Sequence, residues 1–585
     1  MKYKHNYKLY LNGLFLIVFL IASIKLIKKT AIYPYGDGLE YVLMTESFNN
    51  HFTPELKHSD IDNYIQYLEK NQIEIHKKDI LTSIKDLYTK DVKLLDDRHG
   101  FFVDKNQQVY SYHFWVYSLL NTPVRKILGW FNLNISYTFV ITNYLFLLLT
   151  LLLIFTRDSF NYRDRIVLSL FIIFSPIFWY LGWTHPEAFA GLMVFSSLVL
   201  FYDQKHYWAI FLMAITSTHF PPLFIPVLIM LIYKLRKDGF TFKNLFYGGI
   251  TSFWVILPSL FYLYHYSIPN LIIAKNFIST DYVSLNRLHS FLFDWNQGMI
   301  LGLPLVLFTA IFLFVYRIIK RKFKVIDMIF ASVFLMGYFY LQMGNWSHGM
   351  SVVNRYVVWN ASIFLFYTIY LLFKIENTKV KYLLFTILFI PQVLSVYYFS
   401  DIKHTHWKSS EHNKIALWFF DNYPHWYNPD PHIFQVRTSK ANLSYTDSVI
   451  VYNKPDSTIN KMMVYKGQSI YQLEYRGVNK QKIDSFLINK KYYNDWIYIN
   501  KKELDELGYI QENDTLISYI ENKNNLIIRE KIKNHILSSP SYIELIEQKA
   551  KDWDLPFEEV LEMDIEYLIK VEKEKIFLNK KDDVN

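Results

Sequence analysis

Residues 136–156 read SYTFVITNYLFLLLTLLLIFT. This run carries no charged side chain and has the length, roughly 20 residues, that takes a helix across the hydrocarbon core of a bilayer. Similar runs recur near 9–27, 166–182, 186–202, 207–219, 221–233, 244–264, 298–316, 326–343, 355–373 and 382–399, so about eleven spans are expected and the chain is read as an all-α polytopic membrane protein. Pro221, Pro222 and Pro226 interrupt one long apolar run; either two short helices or one kinked helix fits there. The 585 residues are 52% hydrophobic and 19% aromatic. Gathered into runs of this length, they speak against a string of soluble domains.

The formal charge of +10 would suit a nucleic-acid partner, but its location points elsewhere. Basic residues gather in alternate short connections: Lys2, Lys4 and Lys8; Arg157, Arg163 and Arg165; Lys234, Arg236, Lys237 and Lys243; Arg317, Lys320, Arg321, Lys322 and Lys324; Lys374, Lys379 and Lys381. The connections near 183–186 and 344–353 hold no Lys or Arg. The positive-inside rule then puts the N-terminus in the cytoplasm and the C-terminal segment outside, with Lys25, Lys28 and Lys29 dissenting for the first span alone. Absence of cysteine excludes disulfides, thiolate metal sites and a Cys nucleophile. The first run lacks a small-residue cleavage site and is read as a retained signal anchor. Richness in Lys, Ile, Asn and Tyr fits an AT-rich bacterial genome, so a bacterial cytoplasmic membrane is the expected location.

Three regions follow. A first outer loop spans 28–135, too long for a mere connector. It holds amphipathic stretches at 61–72 and 77–88 and an aromatic segment, 110–120, read as lying in the membrane interface. Residues 1–400 form the membrane domain with this loop, and 401–585 a small α/β extracytoplasmic domain. In the latter, 447–453 and 496–500 alternate like strands, while 526–537 and 541–551 have helical periodicity. A last helix opens at Pro556 with Asp554 as its cap.

Ionisable residues stand at the ends of the apolar runs. Gly36-Asp37-Gly38-Leu39-Glu40 follows the first. Asp37 serves either as a general base or as the cap of a helix beginning near Leu39, and Glu40 would share its face. Thr184-His185-Pro186-Glu187 lies between the third and fourth runs, where Glu187 either binds a ligand or simply opens a helix. In Trp346-Ser347-His348-Gly349 and Asn354-Arg355-Tyr356, Arg355 breaks the charge pattern; it either holds a phosphate, with His348 as a second donor, or snorkels to lipid headgroups. Asp294 opens the eighth run, His219 sits beside the Pro221 break, and His113 faces a cavity or anchors at the interface. Asp96-Asp97-Arg98-His99 is a metal cluster or a solvated loop. No Walker loop is present.

Together these pieces resemble the integral-membrane GT-C glycosyltransferase superfamily, which includes protein O-mannosyltransferases and aminoarabinose transferases. The likeness covers residues 1–400 and rests on order and topology: an acidic residue early in a long first outer loop (Asp37, with Glu40 nearby), Pro186-Glu187 at the next outer mouth, Phe293-Asp294 with Gly298 to Pro304, and the stretch from Trp346 to Tyr356. That stretch carries Asn354 where the family often has Pro, and Gly38 follows Asp37 where an acidic pair is commoner. Residues 104–123 are similar to a segment that closes the first loop. The resemblance implies transfer of a sugar from a polyprenyl-phosphate donor to a glycan, lipid or protein acceptor at the outer membrane face. Asp37 or Glu40 would be catalytic, Arg355 and His348 would hold the donor phosphate, and His185, Glu187, His113 and Asp294 would shape the sugar or acceptor site. No cofactor and no metal ligand are expected, a divalent metal staying open. A flippase of a lipid-linked glycan and a glycan polymerase or ligase are the alternatives.

Overall fold

Helices form on each of the apolar runs, and proline decides where several of them stop. The computed structural model describes residues 2–30, 34, 36–88, 92–348, 352–400, 411–439, 449–466, 473–474, 478–488, 490–493, 495–509, 529–530, 532–534, 536–537, 540–553 and 556–565. They divide into two compact units, Met1–Thr446 and Asp447–Asn585. The first is mostly helical. The second carries a small three-stranded sheet.

Two helices, Ile135–Phe155 and Thr378–Phe399, are long and apolar enough to cross a membrane, and Phe242–Val255 with Leu257–Tyr266, bent by 55°, makes a third if it is one span. Glu187–Tyr202, Pro304–Ile319 and Val325–Tyr340 have 16 residues each. At 1.5 Å per residue that is about 24 Å, short of the roughly 30 Å hydrocarbon core. The expected run at 166–182 splits: Tyr162–Ile173 ends and a 3-10 helix, Pro176–Tyr180, begins, because Pro176 cannot donate its backbone nitrogen and restricts Ser175 before it. Pro304 likewise separates Met299–Gly302 from Pro304–Ile319. At the Pro221-Pro222 break the chain forms two helices, His206–Ser217 and Phe224–Asp238, joined by a 3-10 turn.

The segment between the first two runs builds a subdomain of helices Gly38–His51, His58–Lys70, Lys78–Lys85 and Val116–Trp130 around an antiparallel sheet of Asp97–Arg98, Phe101–Val103 and Val109–Ser111. Its aromatic segment does not lie on a surface. Tyr110, Phe114, Val116 and Tyr117 are buried, and the first three pack in one cluster with Tyr262 and Tyr266, so their large apolar area is spent on protein contacts. Nor do residues 96–99 form a metal cluster. Asp97 pairs with Lys275 at 2.9 Å, and Asp96 accepts from the Lys93 backbone N–H.

Helices Gly38–His51 and Val116–Trp130 are locked by one buried pair: Arg125 donates from Nε and Nη2 to the two oxygens of Glu46, the latter at 2.8 Å, with Tyr67 under the guanidinium. Burial pushes the Glu46 carboxyl up, and Arg125 only partly offsets it.

The first unit continues past residue 400. Arg287 and Asp430, both buried, pair at 3.2 Å, and the Ser347 backbone N–H donates to His432 Nδ1 at 3.0 Å. Residues 411–439 are thus part of the helical unit, and the division expected at 401 falls near 447. In the second unit Ile459–Tyr465 is the central strand between Val449–Asn453 and Trp496–Asn500. It is buried on both faces and so shows no alternation in sequence. Helices occupy Pro540–Trp553 and 557–565. The 526–537 stretch is described only in part, and the expected cap Asp554 lies outside the described residues.

Truncating Arg125 would strand a buried acid. Arg125→Ala is expected to cost about 3–5 kcal/mol, read as a drop in thermal unfolding temperature in detergent, and Arg125→Ala/Glu46→Gln should recover part of it. An unchanged melting temperature for the single variant would refute the lock.

Candidate functional site

Four separated segments meet at the same ends of the apolar helices. Gly36, at φ +48°, turns the chain so that Asp37 precedes the Gly38–His51 helix. Asp37 stands at the N-cap position of that helix, as the capping alternative has it, but its side chain makes no cap hydrogen bond. Instead Arg355 Nη2 donates to Asp37 Oδ2 at 2.7 Å. The guanidinium also faces His185 Nδ1 from Nη1 at 3.3 Å and Glu187 Oε1 from Nε at 3.8 Å. It lies over the rings of Trp183 and Tyr356, 5.5 and 5.0 Å from their centres, a cation–π setting suited to a desolvated arginine. Arg355 is 7% exposed, so it does not snorkel to headgroups.

Glu40 lies one helical turn on from Asp37. Ser111 Oγ donates to Glu40 Oε2 at 2.8 Å. Gly100, at φ +82°, has no room for a side chain: a Cβ there would stand 2.2 Å from Glu40 Oε1. Gly38 is packed as closely, its absent Cβ 2.2 Å from Thr184 Oγ1. His113 stacks on Tyr41, ring centres 4.9 Å apart, and its Nε2 stands 3.5 Å from Asp37 Oδ2 and 3.9 Å from Glu40 Oε2. His185 stacks on Trp183 at 4.1 Å, and His348 lies 6.3 Å from the same ring. The His348 carbonyl oxygen accepts from the Arg355 backbone N–H at 3.2 Å, which ties these two residues together.

Asp37, Glu40, His113, His185, Glu187, His348 and Arg355 are therefore neighbours. Asp294 is committed elsewhere: its carboxylate accepts from the backbone N–H groups of Asn296 and Gln297 and from the Tyr427 hydroxyl, and burial pushes it up to about 6. His219 accepts the Tyr117 backbone N–H at 2.9 Å, a structural role. Ser111, Tyr41 and Trp183 were not singled out from the sequence, and only their adjacency to charged candidates marks them.

The two carboxyl groups are driven apart. Burial works to raise Asp37, but the Arg355 guanidinium, with His113 and His185, outweighs it and holds the group well below the usual range. Burial, reinforced by the Asp37 charge, pushes Glu40 well above it despite the Ser111 hydrogen bond. A pair split in this way suits acid–base work. Among the described residues the ligand-type atoms of Asp37, Glu40 and His113 lie within 4.8 Å of one another, so this set has the donor types of a divalent-cation site, in competition with Arg355 for Asp37. Glu187 Oε2 is buried without a hydrogen-bond partner.

The Glu40 environment has a pH signature. Unfolded, this carboxyl ionises near its ordinary value of 4.5, and folded it keeps its proton to higher pH. The folded state then binds more protons, so stability falls as pH rises above 4.5. Glu40→Gln, which mimics the neutral acid, is expected to show a shallower fall of melting temperature above that pH. Parallel curves for wild type and variant would overturn the assignment.

A scan of protein-family models and searches of curated proteins and of solved structures give no match to this chain.

Proposed function

We propose that this chain is a GT-C-type glycosyltransferase that moves a sugar from a polyprenyl-phosphate donor to an acceptor at the outer face of the bacterial cytoplasmic membrane, through a membrane domain of about eleven spans. The observation that carries the reading is the split carboxyl pair, Asp37 and Glu40, beside a buried guanidinium where apolar helices end. Ionisable groups at helix ends also favour an enzyme over a flippase, for which charges near mid-span and repeated halves are the pattern.

The chemistry follows from the contacts. A donor phosphate would take the Arg355 fork, which matches phosphate bidentately. Asp37, released from Arg355, would be left with burial as its dominant influence, and its carboxylate would become a stronger base. Donor binding would thus prepare the base. The acceptor hydroxyl oxygen attacks the anomeric carbon and passes its proton to Asp37. The bond from that carbon to the phosphate oxygen breaks, and its electrons leave on polyprenyl phosphate, whose charge Arg355 and His348 stabilise. Glu187, His185 and His113 would line the sugar and acceptor site.

The test is transfer of radiolabelled sugar from a panel of polyprenyl-phosphate sugars in membranes with native extract as acceptor. Loss of a general base costs about 10²–10⁴-fold, so Asp37→Asn should lose that much at equal expression and unchanged melting temperature. A folded, active Asp37→Asn would refute the base. Bound donor with no polyprenyl phosphate released by the wild type would favour the flippase.

A further inference from the structure

A cavity of about 860 Å³ lies away from the acidic cluster, among helices that the cluster does not use at that end. Glu187 opens the Glu187–Tyr202 helix at the candidate site, while Phe201 and Tyr202 close it at this cavity, roughly 22 Å along the axis. Its walls are apolar and aromatic: Tyr202, Ile229, Tyr233, Phe366 and Tyr370. Its rim carries Arg236, Lys324 and Lys374, all exposed, with Lys374 Nζ 5.0 Å from the Tyr370 ring centre and 5.6 Å from that of Tyr202.

Four carboxylates at this end are already engaged, and Glu376, two residues beyond Lys374, is exposed. Asp203 pairs with Arg157 at 3.3 Å, Asp327 with Arg317 at 2.6 Å, Asp164 with Lys381 at 3.3 Å, and Asp238 with Lys234. Among the described residues the three rim cations have no carboxylate partner. Phe323, Ile232 and Met328 line the cavity and are 40–48% exposed, so its mouth continues onto an apolar helix surface. A ligand that satisfies both features is anionic at one end and hydrocarbon at the other. Free phosphate would leave the aromatic walls in contact with water, an unfavourable arrangement.

We propose that this cavity binds an anionic phospholipid, with its phosphate between Arg236, Lys324 and Lys374 and an acyl chain against Tyr202, Tyr233 and Phe366. Basic pockets between membrane helices are suited to such headgroups. The proposal rests on the membrane reading of the helices and is independent of the transfer reaction.

The test uses the full-length protein, extracted in detergent and exposed to equal amounts of phosphatidylglycerol and phosphatidylcholine, with retained lipids counted by native mass spectrometry. Each rim charge is expected to contribute about fivefold, so the wild type should retain phosphatidylglycerol at least tenfold over phosphatidylcholine. Arg236→Gln/Lys324→Gln/Lys374→Gln should bring the ratio below about threefold. Lys480→Gln/Lys482→Gln/Lys502→Gln, which removes three exposed charges from the second unit, should leave it unchanged. Equal retention of both lipids by the wild type, an unaltered ratio in the rim variant, the same loss in the second-unit variant, or displacement of the lipid by inorganic phosphate alone would each overturn the proposal. Recovery of the protein without detergent would overturn the membrane reading and the lipid site with it, whereas failed sugar transfer would leave the lipid site standing.

Discussion

The Asp37–Arg355 ion pair joins residues 318 positions apart, the guanidinium buried and the carboxylate 27% exposed, and the organisation around it follows from what such a pair requires. Removing two charges from water costs several kcal/mol per ion unless geometry and further contacts offset it. Arg355 finds those contacts in His185, Glu187, Trp183 and Tyr356. Asp37 finds fewer, and its carboxylate is held chiefly by one guanidinium.

Holding that guanidinium in place takes a second tier of buried polar bonds. Trp346 donates from its indole to Ser290 Oγ at 3.0 Å, and its carbonyl accepts from Gln297 and Asn354. The Asn354 backbone N–H in turn donates to the Gln297 carbonyl at 3.1 Å. Arg287 reaches the carbonyls of Leu341 and Met343 while pairing with Asp430. The chain beyond the last apolar run therefore returns to brace the loop before Arg355. On the other flank Glu46 and Arg125 fix the helix that begins at the acidic turn. The charged members of these braces are paired, as buried charges must be to stabilise rather than cost, while Gln297 Oε1 is buried without a hydrogen-bond partner.

Much of this is legible in the sequence. Asp37, His185, Glu187 and Arg355 stand out because a charge at the end of an apolar run needs a reason, and Pro221 and Pro222 announce a helix end through their missing donor, whereas the runs expected at 166–182 and 298–316 pass through Pro176 and Pro304, where the helices break. Asp294 illustrates the limit. By the same reasoning it belonged with the site, yet it organises a turn and binds Tyr427, a residue 133 positions away that no local pattern ties to it. The aromatic segment at 110–120 shows a similar reversal, since hydrophobicity alone does not say whether a ring meets lipid or protein.

By itself the sequence determined where helices form, which ones carry charge at their ends, and that cysteine chemistry plays no part, because these depend on local composition and period. Only the tertiary structure decided that Ser111 meets Glu40, that Gly100 must lack a side chain to admit its carboxylate, that Tyr41 stacks on His113, and that residues 411–439 belong to the helical unit. Those are contacts between distant segments. They are set by how helix faces pack in three dimensions, and neither spacing nor hydrophobic periodicity along one chain encodes them.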